Sequence, residues 1–320
     1  MRDHATLRIL ASPQDTAHSG RAVAPGRILE WIDKAGYACA VGWSGAYCVT
    51  AYVGNVRFTR PVSPGQLVEL NARIIHTGRT SMHIHVSVSA ADVADGSYQH
   101  ALDCLLVFVA VDDNRAPRDI PQWQPADDHD RLLNERALER LDVRRRIRDA
   151  TLAQSYSERG TTPRSKLRFL AAPTDANWGG NAHGGTVLGW INEAAYTVAA
   201  RWTSTDAIAN YSGGIHFLRP IKIGHIVEID ARLIHTEPDA MHIATRVSSA
   251  PAENPSALSL TTVCMSIFID PGQDGQPRPV PPISLLSDED IQLDRHARQL
   301  IAMRRELQSV PSAGAPGRPA

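Results

Sequence analysis

The sequence predicts an α+β protein made of two tandem copies of one domain, each a curved antiparallel sheet wrapped around one central helix. Three observations carry this: a long internal repeat, an apolar helix early in each copy, and a run of strand-like segments after that helix. Residues 31–84 align with 190–243 at a constant offset of 159 without a gap, with 22 identities in 54 positions. The densest block reads FTRPVSPGQLVELNARIIHTGRTSMHI in the first copy and FLRPIKIGHIVEIDARLIHTEPDAMHI in the second. The match resumes at offset 160, where Cys104 and Phe108 face Cys264 and Phe268. A period of about 160 residues is far longer than a solenoid unit, so it marks a duplicated domain.

Each copy repeats the same order of elements. A loop comes first, then the helix. In the second copy Val187, Leu188, Ile191, Ala194, Ala195 and Val198 recur at helical spacing and predict a helix over 185–201. VELNARIIHT, VEIDARLIHT and MHIHVSVSA alternate apolar and polar residues, as half-buried strands do, while CLLVFVAV and VCMSIFI read as buried strands. Charged helical segments close each copy near 127–148 and 287–307, and Ser287 with Asp290 predicts a capping box at the start of the second. So apolar a helix needs cover on most sides, which a curved sheet supplies, and two such sheets can pair edge to edge and hide their exposed strands. The boundaries expected are 1–149 for the first domain with its trailing helix, 150–166 for a linker rich in Ser, Thr and Gly, 167–309 for the second domain, and 310–320 for a disordered Pro/Gly/Ala-rich tail.

Composition bounds the function. Hydrophobic residues make up 43% and charged residues 21%, a soluble globular profile, and the net charge is −1. That balance gives no general nucleic-acid or membrane surface. Cys39, Cys48, Cys104 and Cys264 form no C-x-x-C pair and sit in apolar runs, which predicts buried free thiols in a reducing compartment. The first residues, MRDHATLRILAS, lack the apolar core of a signal peptide, and no stretch reaches the ~18 apolar residues of a membrane helix. The expectation is a cytoplasmic protein.

The copies diverge in the loop before the helix. The second reads DANWGGNAHGGTVLGWINEAA and the first DTAHSGRAVAPGRILEWIDKAG. Asn181, His183, Gly184 and Gly185 fall opposite Ala22, Ala24, Pro25 and Gly26, with one gap in the loop that also allows Arg21 in place of Ala22. Conversely, Asp33 falls opposite Asn192. Asp33 shares a helix face with Leu29 and with Gly36 and Tyr37. Two readings stand: a half-exposed flank residue paired with Lys34 or Arg27, or a buried carboxylate whose raised pKa suits a base near neutral pH. His183-Gly184-Gly185 is either a plain capping turn or a helix start whose free N–H groups hold a developing oxyanion. Asn181 is either a loop or capping residue or one that orients a water and a carbonyl.

Together DAN..GN.HGGT..GWI.EAA, W-I-D-K-A-G and the repeated F-x-R-P-x-x-x-G resemble the tandem hotdog acyl-CoA thioesterases, the group that includes the cytosolic brain-type acyl-CoA hydrolases. The resemblance covers both copies and all but the tail. It implies two hotdog domains and a substrate of acyl-CoA, with no separate cofactor because coenzyme A is part of the substrate. In that family an Asn before an HGG helix start meets an Asp on the helix of the other half, positions that Asn181 and Asp33 match. Asp33, Asn181, Gly184 and Gly185 are thus the implied catalytic residues, with Asp33 either activating water or attacking directly. His183, Arg60 and Arg219 are the implied CoA contacts. The resemblance further implies a homo-oligomer, three chains forming a ring of six hotdogs. The departures in the first copy imply one complete cleft and one that has lost both halves of its machinery.

Two other readings stay open. A hotdog hydratase or dehydratase would pair an Asp and a His in one loop, for which Asp175 and His183 are a poor match. A non-catalytic acyl-CoA-binding protein would bind without releasing thiol. No metal is expected: His83-x-His85 puts two imidazoles on one strand face with no third ligand at suitable spacing.

Overall fold

The computed structural model describes residues 1–17, 20–54, 56–271 and 276–308. The first half runs β1 (His4–Leu10), α1 (Pro25–Ser44), β2 (Cys48–Val53), β3 (Val56–Arg57), β4 (Gln66–Thr77), β5 (Ser81–Asp92), β6 (Gln99–Ala110) and α2 (Asp128–Ala153). The second runs β7 (Arg164–Leu170), α3 (Gly184–Trp202), β8 (Ile208–Phe217), β9 (Ile226–Glu237), β10 (Ala240–Ala250), β11 (Ser259–Ile269) and α4 (Asp288–Gln308). The eleven strands form one antiparallel sheet in the order β1-β4-β5-β6-β2-β8-β11-β10-β9-β7, with the short β3 added onto β8. The two hotdog sheets therefore join at β2 and β8, where Tyr52 faces His216 and Val53 faces Ile215.

Each central helix packs on the strands of its own half. In α1 the buried set Ile28, Leu29, Trp31, Ile32, Ala35, Cys39 and Ala40 repeats at helical spacing. In α3 the set is Val187, Leu188, Ile191, Ala194, Ala195, Val198 and Ala199. One continuous core holds both faces, and each fully buried Leu or Ile contributes roughly 1.5–3 kcal/mol. The two helices also touch each other, backbone to backbone, because small residues meet at the crossing. A Cβ on Gly26 would lie 2.7 Å from Gly189 Cα, and one on Gly185 would lie 2.5 Å from Glu30 Cα. At this crossing the two helices are in direct backbone contact.

The four cysteines are buried and free, as their apolar neighbours predict. The capping box on α4 forms: the Ser287 hydroxyl accepts from Asp290 N–H at 3.1 Å, and Asp290 Oδ2 accepts from Ser287 N–H at 3.0 Å. Two element bounds differ from the sequence expectation. Helix α2 runs on to Ala153, and β7 begins at Arg164 opposite Arg232, so the connection spans 154–163 rather than 150–166. The reason is tertiary: Glu289 and Asp290 at the start of α4 hold Ser157 and Thr161 and leave a short tether. The segment 310–320 lies outside the described residues. Among the described residues no helix is long and apolar enough to cross a membrane.

The helix crossing makes a direct test. In Gly26→Ala the new methyl meets the Gly189 backbone, which cannot rotate away. The expected cost is about 1–3 kcal/mol, read as a lower midpoint in chemical denaturation. An unchanged midpoint would mean the helices are not held at this separation.

Candidate active site

Asp33 lies in the middle of α1 and is 3% exposed. Its supposed flank partners are both engaged elsewhere: Arg27 and Lys34 each pair with Glu30, at 2.6 and 2.7 Å. The reading of Asp33 as a half-exposed flank residue therefore gives way to the buried one. Its carboxylate is met by donors from the opposite direction. The Thr50 hydroxyl on β2 donates to Oδ1 at 2.7 Å. The Gly185 N–H, at the start of α3 in the other half, donates to Oδ2 at 3.1 Å. His183 Nδ1 stands 3.4 Å from the same oxygen.

The local sequence explains this approach. His183 caps α3 in extended backbone geometry, φ −66° and ψ 135°, and its Nδ1 accepts from Gly185 N–H at 3.1 Å. A side chain at Gly184 would crowd the carboxylate: a Cβ there would sit 3.0 Å from Asp33 Oδ2 and 3.2 Å from Thr50 Oγ1. Beside Thr50 the β2–β6 register shifts, a bulge that re-aims the strand next to the site. Burial pushes the Asp33 carboxyl above its ordinary range. The positive charge available to His183 and the Thr50 and Gly185 donors pull it back, and the neighbouring Glu30 adds to the rise.

Asp33, Thr50, Gly184, Asn181 and Arg219 share one cleft of about 270 Å³. Asn181 is placed by its loop: its carbonyl accepts from Asn177 N–H at 2.7 Å, and its own N–H donates to Asn177 Oδ1 at 3.2 Å. Its side-chain amide has no partner among the described residues and lines the cleft. Of the two glycine amides expected to serve an oxyanion, Gly185's already donates to Asp33 and His183, whereas Gly184's has no acceptor among the described residues. Arg219 lines the cleft. Arg60 is exposed and does not, so the structure does not bring the two matched arginines to one site. His83 is buried, and burial with the nearby Arg144 charge pushes it down to about 3, while His85 pairs with Asp103 at 3.2 Å.

Sequence reasoning missed Thr50 and the aromatic rim. Trp178, 74% exposed, stacks on Tyr37 with centroids 4.8 Å apart and planes 8° apart. Tyr37 meets Tyr47 edge-on at 6.3 Å. The Arg115 guanidinium lies 4.8 Å over Tyr47 and donates to the Gly179 carbonyl at 2.7 Å. Thr50 did leave a signal, since offset 159 places it opposite Ala209 inside the aligned block. Arg115 left none.

The pseudo-equivalent position carries Asn192, buried, with its Oδ1 unpaired. The structure settles the loop gap. Ala17 N–H donates to Ala22 O just as Asn177 N–H donates to Asn181 O, so Ala22 is the counterpart and Arg21 the inserted residue.

Asp33 also predicts a pH signature. Its folded pKa lies above its unfolded value, so its contribution to stability is fully present below the ordinary value of 3.8 and is lost as pH rises through the folded pKa. Asp33→Asn removes that loss. The variant is expected to melt higher than the parent at pH 8, with the difference shrinking toward pH 4. A constant difference across that range, followed by differential scanning fluorimetry, would contradict the burial argument.

Residues 22–96 and 179–253 each match the thioesterase superfamily model. The cytosolic acyl coenzyme A thioester hydrolase of Mus musculus is 24% identical over 292 residues, which is 86% of this chain and 76% of that protein. The acyl-CoA thioester hydrolase YciA of Salmonella typhimurium is 34% identical over 118 residues, 36% of this chain and 88% of that protein. Among solved structures, a Lactobacillus plantarum protein described as an oleoyl thioesterase aligns with a TM-score of 0.58 over 88% of this chain and 98% of that one; at 9% identity the likeness is one of fold. With two copies of the matched domain, a shared two-sheet architecture and these relatives, the chain belongs to the thioesterase superfamily.

Proposed function

We propose that the chain hydrolyses acyl-CoA thioesters to free acid and CoA, at one composite site per chain, with Asp33 acting on the water. The observation that carries this reading is the meeting of Asp33 on α1 with the Gly184-Gly185 start of α3, inside a cleft that also holds Asn181. The thioester carbonyl takes the unengaged Gly184 N–H, with the Asn181 amide beside it. Those dipoles stabilise negative charge as it develops on oxygen. Thr50 and Gly185 hold the Asp33 carboxylate, which removes a proton from the attacking water. Direct attack by Asp33 would instead form a mixed anhydride, and label found in Asp33 after a single turnover in ¹⁸O-water would show that anhydride opening at the Asp33 carbonyl.

Arg219, at the cleft, is the residue we assign to a CoA phosphate. Arg60 takes no part, and His183 belongs with Asp33 rather than with CoA. Coenzyme A enters as part of the substrate, and no further cofactor has a step. We place the activity in the cytoplasm, in keeping with the relatives whose names carry the word cytosolic.

The second cleft is expected to be silent. Asn192 has no proton-accepting carboxylate, Ala209 no hydroxyl, and Pro25 no N–H. Asp33→Ala is therefore expected to lower kcat/KM at least ~10²-fold in a folded protein, by thiol release across a panel of acyl-CoA chain lengths. Active-site titration is expected to count one equivalent per chain, and Asn192→Asp alone to add none. Half the activity surviving in Asp33→Ala would mean both clefts work.

We further propose a homo-oligomer, three chains giving six hotdogs. Leu138 and Leu141, one turn apart on α2, are exposed at 44% and 39% and offer apolar contact surface, and closed symmetry, which a three-fold assembly satisfies, is the rule for soluble homo-oligomers. Light scattering at micromolar concentration is expected to return three times the chain mass; a monomer mass would dismiss the proposal.

A further inference from the structure

We infer that Asp33 and His183 work as one proton-holding pair: a single proton is shared between Asp33 Oδ2 and His183 Nδ1 at rest, and His183 is the positioning residue that keeps Asp33 ionised when it acts as a base. This rests on the hydrolase reading above and adds a partner to it.

The geometry leaves one donor for two acceptors. Gly185 N–H lies 3.1 Å from Asp33 Oδ2 and 3.1 Å from His183 Nδ1. Those two acceptors stand 3.4 Å apart. One N–H divided between two acceptors serves each only in part, and two lone pairs facing each other across that gap repel, more so where water is scarce. The side chains of His183 and Asp33 are 12% and 4% exposed. A proton between them converts the repulsion into a hydrogen bond, as either a carboxylic acid facing a neutral imidazole or a carboxylate facing an imidazolium.

The surroundings leave His183 as the cation available to Asp33. From α1, Glu30 faces the carboxylate but is tied to Arg27 and Lys34. From β2 come Thr50 and the neutral Cys48, from β6 Cys104, and from the cleft wall Tyr37 and Tyr47. Arg115 is held by Gly179 and Tyr47. Arg219 is at the cleft, but no bond joins it to Asp33. The repeat agrees: where Asp33 is replaced by Asn192, His183 is replaced by Ala24, so the two members are lost together.

The proton count closes over a turnover. In the ionised form the proton sits on His183 Nδ1 and Asp33 is a carboxylate. Water adds its hydroxide to the acyl carbon while its other proton goes to Asp33. The tetrahedral oxyanion collapses to the free acid as the carbon–sulfur bond breaks, and sulfur leaves with the bond electrons. The CoA thiolate takes one proton from the pair, which returns to holding one.

The test is His183→Asn, which keeps a side-chain cap for α3 and removes the titratable ring. Two readouts are followed: kcat/KM against pH, and carbon-13 NMR of the Asp33 carboxyl in the intact protein. Without the imidazolium the carboxylate is harder to form, so the acid limb of kcat/KM and the Asp33 titration are both expected to move up by about one pH unit or more, with kcat falling more than KM changes. In the parent, His183 nitrogen-15 shifts are expected to move together with the Asp33 carbon signal. Acid limb and Asp33 titration both unmoved in a folded His183→Asn protein would overturn the pair and leave His183 a helix cap. Should the parent release no CoA thiol at any pH, the hydrolase reading falls, and the two NMR titrations still decide the pair.

Discussion

A carboxylate drawn out of water has to be met by polar partners, and at Asp33 those partners come from two distant places in the chain. Thr50 arrives on β2 of the same half, and Gly185 and His183 arrive at the start of α3 in the other. Gly185 and His183 reach Asp33 only when the two halves sit at one separation. That separation is set where α1 and α3 cross, at Gly26 and Gly185, which admit no Cβ against the backbone of the facing helix. The joined sheet reinforces it, since β2 carries Thr50 and also pairs with β8. Fold and site are therefore one constraint: the contact that closes the double hotdog is the contact that surrounds the carboxylate.

Duplication placed two pseudo-equivalent helix starts against the facing helix, and the residues around them differ. On the side of Asn192 the changes are small and mutually consistent. Asn192 replaces the acid, Ala209 the hydroxyl, Ala24 the imidazole and Pro25 the amide. The buried Asn192 Oδ1 is left without a donor, a polar group retained by packing where its partners have gone. Burial of an uncharged amide costs less than burial of a carboxylate, so this half can give up the supporting donors that Asp33 needs.

The rim of the working cleft answers a different need. Trp178, Tyr37 and Tyr47 form an aromatic wall, and Arg115 clamps the Gly179 loop against it. The close approach requires glycine at 179, where a Cβ would lie 2.2 Å from the Tyr47 hydroxyl. Arg115 takes φ 64°, the one non-glycine left-handed residue among those described, a conformation that costs of order 1 kcal/mol and is offset by the bonds it makes across the halves. The loop that carries Asn181 is thereby tied to the opposite half.

Much of this was legible in the sequence. Periodicity placed α1 and α3 and the long strands, and the offset of 159 exposed the duplication. The asymmetry between copies singled out Asp33 and the loop holding Asn181, His183 and the two glycines. Residue type and spacing are enough for these because they are local properties, or a comparison of the chain with itself. The burial of Asp33 was not legible, since Lys34 and Arg27 were equally plausible partners until Glu30 was seen to claim both. Nor were the close approach of α1 and α3 at Gly26 and Gly185, the parting of Arg60 from Arg219, and the sharing of one Gly185 proton between two acceptors. Each depends on distances of a few ångströms between residues far apart in the chain, set by how closely α1 and α3 approach. A single sequence records which side chains are small enough for that approach, and only the packed tertiary structure decides what they then touch.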